Sequence, residues 1–209
     1  MSLGLDINLI IIIVISVISI FAFSRPDVMG KLQFNAWQIV HRKEYYRVLS
    51  YGFVHGNWIH LLINMFVLYS FGRVVLYYFE AAFDGGTTIR YLILFLSAIV
   101  VSTLATLGKE KDNPHYNAVG ASGAVSAVVF TSILFDPYNP ILLFGIIPIP
   151  GIIFGVLYII YSKYMAGKNI DNIGHDAHYY GALYGLVFPL LYEPRLAIHF
   201  FNQLLSFNF

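Results

Sequence analysis

Four polar side chains stand where almost everything around them is apolar: His60, Asn64, Ser122 and His178. A serine hydroxyl is a weak nucleophile until an adjacent base takes its proton, and an imidazole is the commonest such base. A second imidazole and a side-chain amide can donate hydrogen bonds to the charge that develops on an acyl oxygen. Nucleophile, base and two donors are the set that acyl transfer requires. The sequence has no cysteine, so thiolate nucleophiles, disulfides and cysteine-ligated metals are excluded. Its chemistry rests on Ser, His, Asp, Glu, Asn or Tyr.

Spacing sharpens each member. His60 and Asn64 are four residues apart and so project from one face of a helix, which also suits a plain interhelical hydrogen bond. Ser122 lies in Gly120-Ala121-Ser122-Gly123-Ala124. Small residues of this kind serve close helix packing, and the two glycines also free the backbone around a hydroxyl at a helix start. His178 precedes Gly181 and Gly185 by three and seven residues, so all three share a face whose glycines admit a neighbouring backbone. If that neighbour is the Gly/Ala/Ser stretch around Ser122, imidazole and hydroxyl meet. Asp176, two residues before His178, faces away on a helix, which leaves a dyad rather than a triad. His55, His60, His175 and His178 lack the His-Glu-x-x-His pattern or carboxylate of a metal site, so no metal is expected.

These groups must be held by membrane helices. Of 209 residues 58% are hydrophobic and 11% charged, and the mean hydropathy is +0.72. A soluble domain carries about a quarter charged residues. Twelve Lys and Arg against eleven Asp and Glu give a net charge of +1, which points to no nucleic acid or other charged partner. Six stretches suit spans of the bilayer: 7–24, 57–79, 91–108, 118–135, 141–162 and 177–192. No repeat or linker divides them, so 1–209 reads as one domain. The fifth is interrupted by Ile147-Pro148-Ile149-Pro150-Gly151, which breaks helical hydrogen bonding and suggests a gate. The segment 25–56, aromatic and basic, reads as lying in the interface, and the Phe-rich tail 196–209 likewise. Alternating helices start the second, fourth and sixth from one side of the membrane. Ser122, ten residues past Asp112, then lies roughly 15 Å deep, with His178 at a comparable depth. A shared depth implies a shared cavity, with His55, Asn57 and Asn117 holding water at its mouth.

Taken together, the chain resembles the rhomboid family of intramembrane serine proteases in its basic six-helix, bacterial-type form. The resemblance rests on Tyr46-Arg47 in the first loop, His60-Leu61-Leu62-Ile63-Asn64 on the second helix, Gly120-Ala121-Ser122-Gly123 on the fourth, and Ala177-His178-Tyr179-Tyr180-Gly181 with Gly185 on the sixth. It implies an all-α polytopic bundle with Ser122 as nucleophile and His178 as general base and then acid. It further implies an oxyanion hole of His60, Asn64 and the Ser122 N–H, no cofactor, and the transmembrane segments of other membrane proteins as substrates. A catalytically inactive rhomboid-like protein that binds such segments is the alternative. Two features depart from the family pattern. Tyr46 replaces the usual Trp, and Ser126 stands where many members carry an aromatic ring that stacks on the histidine, so another of the 16 tyrosines is expected to hold the imidazole. The family also implies a bacterial cytoplasmic membrane with the active site opening outward. Charge argues the other way, because nine of twelve Lys and Arg fall on the active-site side.

Overall fold

The computed structural model describes residues 6–143, 145–166, 168 and 174–206. Phe144 in the fifth expected span, most of the loop before His178, and the last three residues of the tail lie outside the described residues.

The first helix, α1 (Ile7–Phe23), starts where the Asp6 carboxylate accepts the N–H of Leu9. The segment 25–56 folds into three short α-helices, α2 (Pro26–Leu32), α3 (Ala36–His41) and α4 (Arg47–Ser50), and a 3-10 turn at Tyr51–Phe53. Buried Arg47 ties them together by donating to the carbonyls of Gly30 and Gln33 and to the Glu44 carboxylate. Asn57 then caps α5 (Trp58–Ala82) by accepting the N–H of His60 at 2.8 Å. The buried stripe of α5 runs through Leu61, Met65, Leu68, Gly72, Val75 and Phe79 at helical spacing. Its other face exposes Ile59, Leu62, Ile63 and Phe66, an apolar surface suited to lipid rather than water.

Next come α6 (Thr87–Ser102) and α7 (Leu104–Glu110), which run on as one apolar stretch with a break at Thr103. There the threonine hydroxyl donates back to the Val100 carbonyl. Among the described residues, α5 and the α6–α7 stretch are the two helices long and apolar enough to cross a membrane. The fourth expected span, 118–135, is helical only from Ser122, as α8 (Ser122–Phe135). Ahead of it the chain is extended: Ala118 exchanges two backbone hydrogen bonds with Phe34, and Gly120, at φ +114°, donates to the Tyr51 carbonyl at 3.0 Å.

The fifth expected span differs most. Pro140–Leu143 (β1) and Ile147–Pro150 (β2) form an antiparallel hairpin, and the helix α9 (Gly151–Ala166) begins only after it. Pro148 and Pro150 have no N–H to give a helix, and Gly151 starts α9 by donating to the Asn139 carbonyl. This hairpin and the Phe34–Ala118 bridge are the β-structure among the described residues, and the protein is mostly helical. Finally α10 (His175–Val187) gives way to a 3-10 turn at Pro189, and α11 (Arg195–Leu205) follows, with Ile198, Phe201 and Leu205 exposed. α8 sits at the centre, buried from Gly123 to Phe135, with α5, α6, α9, α10 and α11 packed around it. It is apolar on all sides because every side meets protein.

Candidate active site

Ser122 opens α8, and the turn before it is shaped by Gly120. A Cβ at Gly120 would lie 2.5 Å from Cε1 and 2.8 Å from Nε2 of His60, and its positive φ strains any other residue. The glycine thus lets the His60 imidazole rest against the turn that leads into Ser122. One helical turn on, buried Asn64 donates one amide hydrogen to the His60 carbonyl at 3.0 Å. A primary amide carries two, so one remains.

The helix of His178 packs directly on that of Ser122. A methyl at Gly181 would meet the carbonyl oxygen of Gly123 at 2.1 Å, and one at Gly185 would meet that of Ala127 at 2.1 Å. Two small residues four apart on α8 therefore face two glycines four apart on α10, the close approach that such faces allow. Thr131 adds a hydrogen bond to the Gly185 carbonyl at 2.9 Å. Gly123 is pressed from a third side, since a Cβ there would lie 2.5 Å from Ser102 Oγ of α6. Ser122, His178, His60 and Asn64 all line one cavity of about 1050 Å³, which reaches Asn57 and Asn117 at its mouth.

The ring against His178 comes from α9. Tyr158 stacks on the imidazole with centroids 6.1 Å apart and planes 27° apart. Its hydroxyl meets Ser126 Oγ at 2.6 Å, and Ser126 donates to the Ser122 carbonyl at 2.8 Å. The small residue at 126 makes room for a ring from the neighbouring helix. One turn along, Tyr161 of α9 meets His175 of α10 edge-on at 5.6 Å. No periodicity in the sequence pairs Tyr158 with His178, because the two lie on separate helices.

One polar residue is placed differently from the expectation. His55 does not hold water at the mouth: it is fully buried. One ring nitrogen, Nδ1, lies 2.9 Å from Ser19 Oγ, Ser19 donates to the Phe53 carbonyl, and Nε2 takes the Ala121 N–H at 3.5 Å. This relay fixes a neutral tautomer and anchors the backbone next to Ser122. Its nearness to His60, 5.0 Å between ring centroids, is the signal that spacing alone did not carry. Asp176 turns to Lys109 of α7 at 3.6 Å.

An apolar outer face around an internal cavity that His60, Asn64, Ser122 and His178 line is the build of a helical membrane protein. Residues 42–195 match the Rhomboid domain, and the chain belongs to the rhomboid family. It is 30% identical over 155 residues to Rhomboid-like protein 11, chloroplastic, of Arabidopsis thaliana, covering 68% of this chain and 51% of that protein. It is 27% identical over 143 residues to RHOMBOID-like protein 12, mitochondrial, of the same plant, covering 65% and 43%. The chain thus spans about half the length of the curated relatives it matches.

Proposed function

We propose that this protein is a six-span intramembrane serine endopeptidase of the basic bacterial-type form, which cuts transmembrane segments of other membrane proteins with a Ser122–His178 dyad. The contact of Gly181 and Gly185 with Gly123 and Ala127 carries the reading, because it brings the helix of the base onto that of the nucleophile beside one cavity. His178 takes the proton of Ser122 as Oγ bonds to the scissile carbonyl carbon. The carbonyl oxygen becomes an oxyanion, held by His60, the second amide hydrogen of Asn64 and the Ser122 N–H, which has no acceptor within its own helix. His178 then protonates the leaving amine as the C–N bond breaks, and water releases the acyl group by the reverse steps. The dyad supplies both nucleophile and base, so the reaction needs neither metal nor cofactor.

The mouth opens to the outside of a bacterial cytoplasmic membrane in this reading. Arg47 is buried and Lys109 is paired with Asp176, which weakens the charge bias that argues for the opposite orientation. A reporter fused after Ser24 reads outside; a cytoplasmic signal there reverses the assignment.

The direct test is labelling of the detergent-solubilised protein with a fluorophosphonate. Labelling by the wild type and none by Ser122→Ala or His178→Ala is the expected result. A folded wild type that never labels refutes the protease reading in favour of an inactive rhomboid-like protein that binds transmembrane helices.

A further inference from the structure

α9 is loosely held against the cavity. It buries Gly151, Gly155 and Ser162, while Ile153, Val156, Leu157, Ile160 and Tyr161 are exposed. Its start is anchored, since Gly151 and Ile152 donate to the carbonyls of Asn139 and Pro137. Further along, its grip on the bundle is aromatic. Tyr158 and Tyr161, three residues apart, meet His178 and His175, also three apart, and the two imidazoles meet edge-on at 5.9 Å. Tyr158 is itself fixed from both sides, by Phe130 of α8 and Phe154 of α9, each with centroids 5.5 Å away. The Tyr158 hydroxyl donates to Ser126 Oγ, whose own proton goes to the Ser122 carbonyl. One side chain of α9 therefore touches both the helix start that bears Ser122 and the ring of His178.

We infer that Tyr158 is a positioning residue that orients the His178 imidazole from α9, so that the seating of α9 on α8 and α10 assembles the dyad. An aromatic face within stacking distance restricts rotation of the imidazole, and Phe130 and Phe154 hold that face in place. A helix that swings out from its hairpin end carries the ring away and leaves the base unoriented. Seating is adjustable at Gly155, where a Cβ would meet Phe130 and Ile133 at 3.3 Å; a larger side chain there pushes α9 off the bundle.

This inference rests on the protease reading, and its test separates the two. Fluorophosphonate labelling is followed at several probe concentrations, because the small probe needs no substrate passage past α9. Tyr158→Leu lowers the maximal labelling rate by about 10- to 100-fold, at unchanged half-saturating concentration and in a protein that still unfolds cooperatively, whereas Tyr158→Phe keeps the ring and stays within about threefold of wild type. Gly155→Leu gives the same loss, and adding Tyr158→Leu to it causes no further loss, since both remove one contact. Wild-type labelling by Tyr158→Leu, a change confined to half-saturation, or equal damage from Phe and Leu overturns the inference. A measurement independent of activity uses histidine labelled with carbon-13: the His178 ring proton resonance moves in Tyr158→Leu and holds in Tyr158→Phe, as expected for loss of the ring current. No movement in the Leu variant overturns the stack. A wild type that never labels refutes the protease reading alone and leaves this resonance to decide the stack.

Discussion

Gly181 of α10 faces Gly123 of α8 so closely that a methyl group on it would lie 2.1 Å from the Gly123 carbonyl oxygen and 3.0 Å from its α-carbon. The obstacle is backbone, which cannot swing aside as a side chain can. Gly181→Val is expected to destabilise the protein by about 3 kcal/mol through overpacking and to abolish labelling of Ser122. An unchanged melting temperature in detergent contradicts the contact.

From α5, His60 rests against Gly120 in the turn before Ser122, and Asn64 lines the same cavity as Ser122. If each supplies an oxyanion donor, His60→Ala and Asn64→Ala each raise the barrier by about 3 kcal/mol, or roughly a hundredfold in kcat. Cleavage of a transmembrane substrate measured for both variants checks this, and a tenfold or smaller loss removes the residue from the oxyanion hole.

The Arg47 guanidinium beside Glu44 holds that carboxyl below its ordinary value of 4.5. A carboxylate whose folded pKa is depressed adds stability above the unfolded pKa and loses it as pH falls through the folded value. The melting temperature is therefore expected to fall as the pH drops below that ordinary value, and Glu44→Gln to remove part of that slope. Parallel curves for the two proteins rule out this ion pair as the source.

Phe154 of α9 packs in one cluster with Val67 of α5, and under the protease reading a substrate helix passes between these two helices. The absence of native cysteine makes the pair Val67→Cys and Phe154→Cys clean to cross-link with a bifunctional thiol reagent. Cross-linking is expected to stop cleavage of a transmembrane substrate while sparing fluorophosphonate labelling. Undiminished cleavage rejects passage between these helices.

His55 fixes the backbone beside Ser122 through Ala121. His55→Phe keeps a buried ring but loses both hydrogen bonds, including that to Ser19, and two unmade bonds of this kind are expected to destabilise the protein by about 2 kcal/mol. Thermal unfolding measures it; Ser19→Ala, which removes one of the two, is expected to do less.

The sequence by itself determined that the protein is an apolar helical membrane protein, because a run of apolar residues without charge leaves the backbone no partners except its own. It also singled out His60, Asn64, Ser122 and His178, polar groups whose place in apolar segments demands a reason, and it made Gly181 and Gly185 a packing face, since their spacing is local to one helix. Tertiary structure decided the rest. Two prolines two residues apart announced an interruption, but the hairpin Pro140–Pro150 needed β1 as a partner from outside the motif. Ser122 begins its helix only because Phe34 and Tyr51 of the first loop hold the extended residues before it. His55 looked like a mouth residue until Ser19, 36 positions away, buried it. The ring over His178 belongs to Tyr158, a choice fixed by where α9 lies, not by any spacing along the chain. Patterns within one helix are written in the order of residues, whereas contacts between helices depend on distances that the order does not contain.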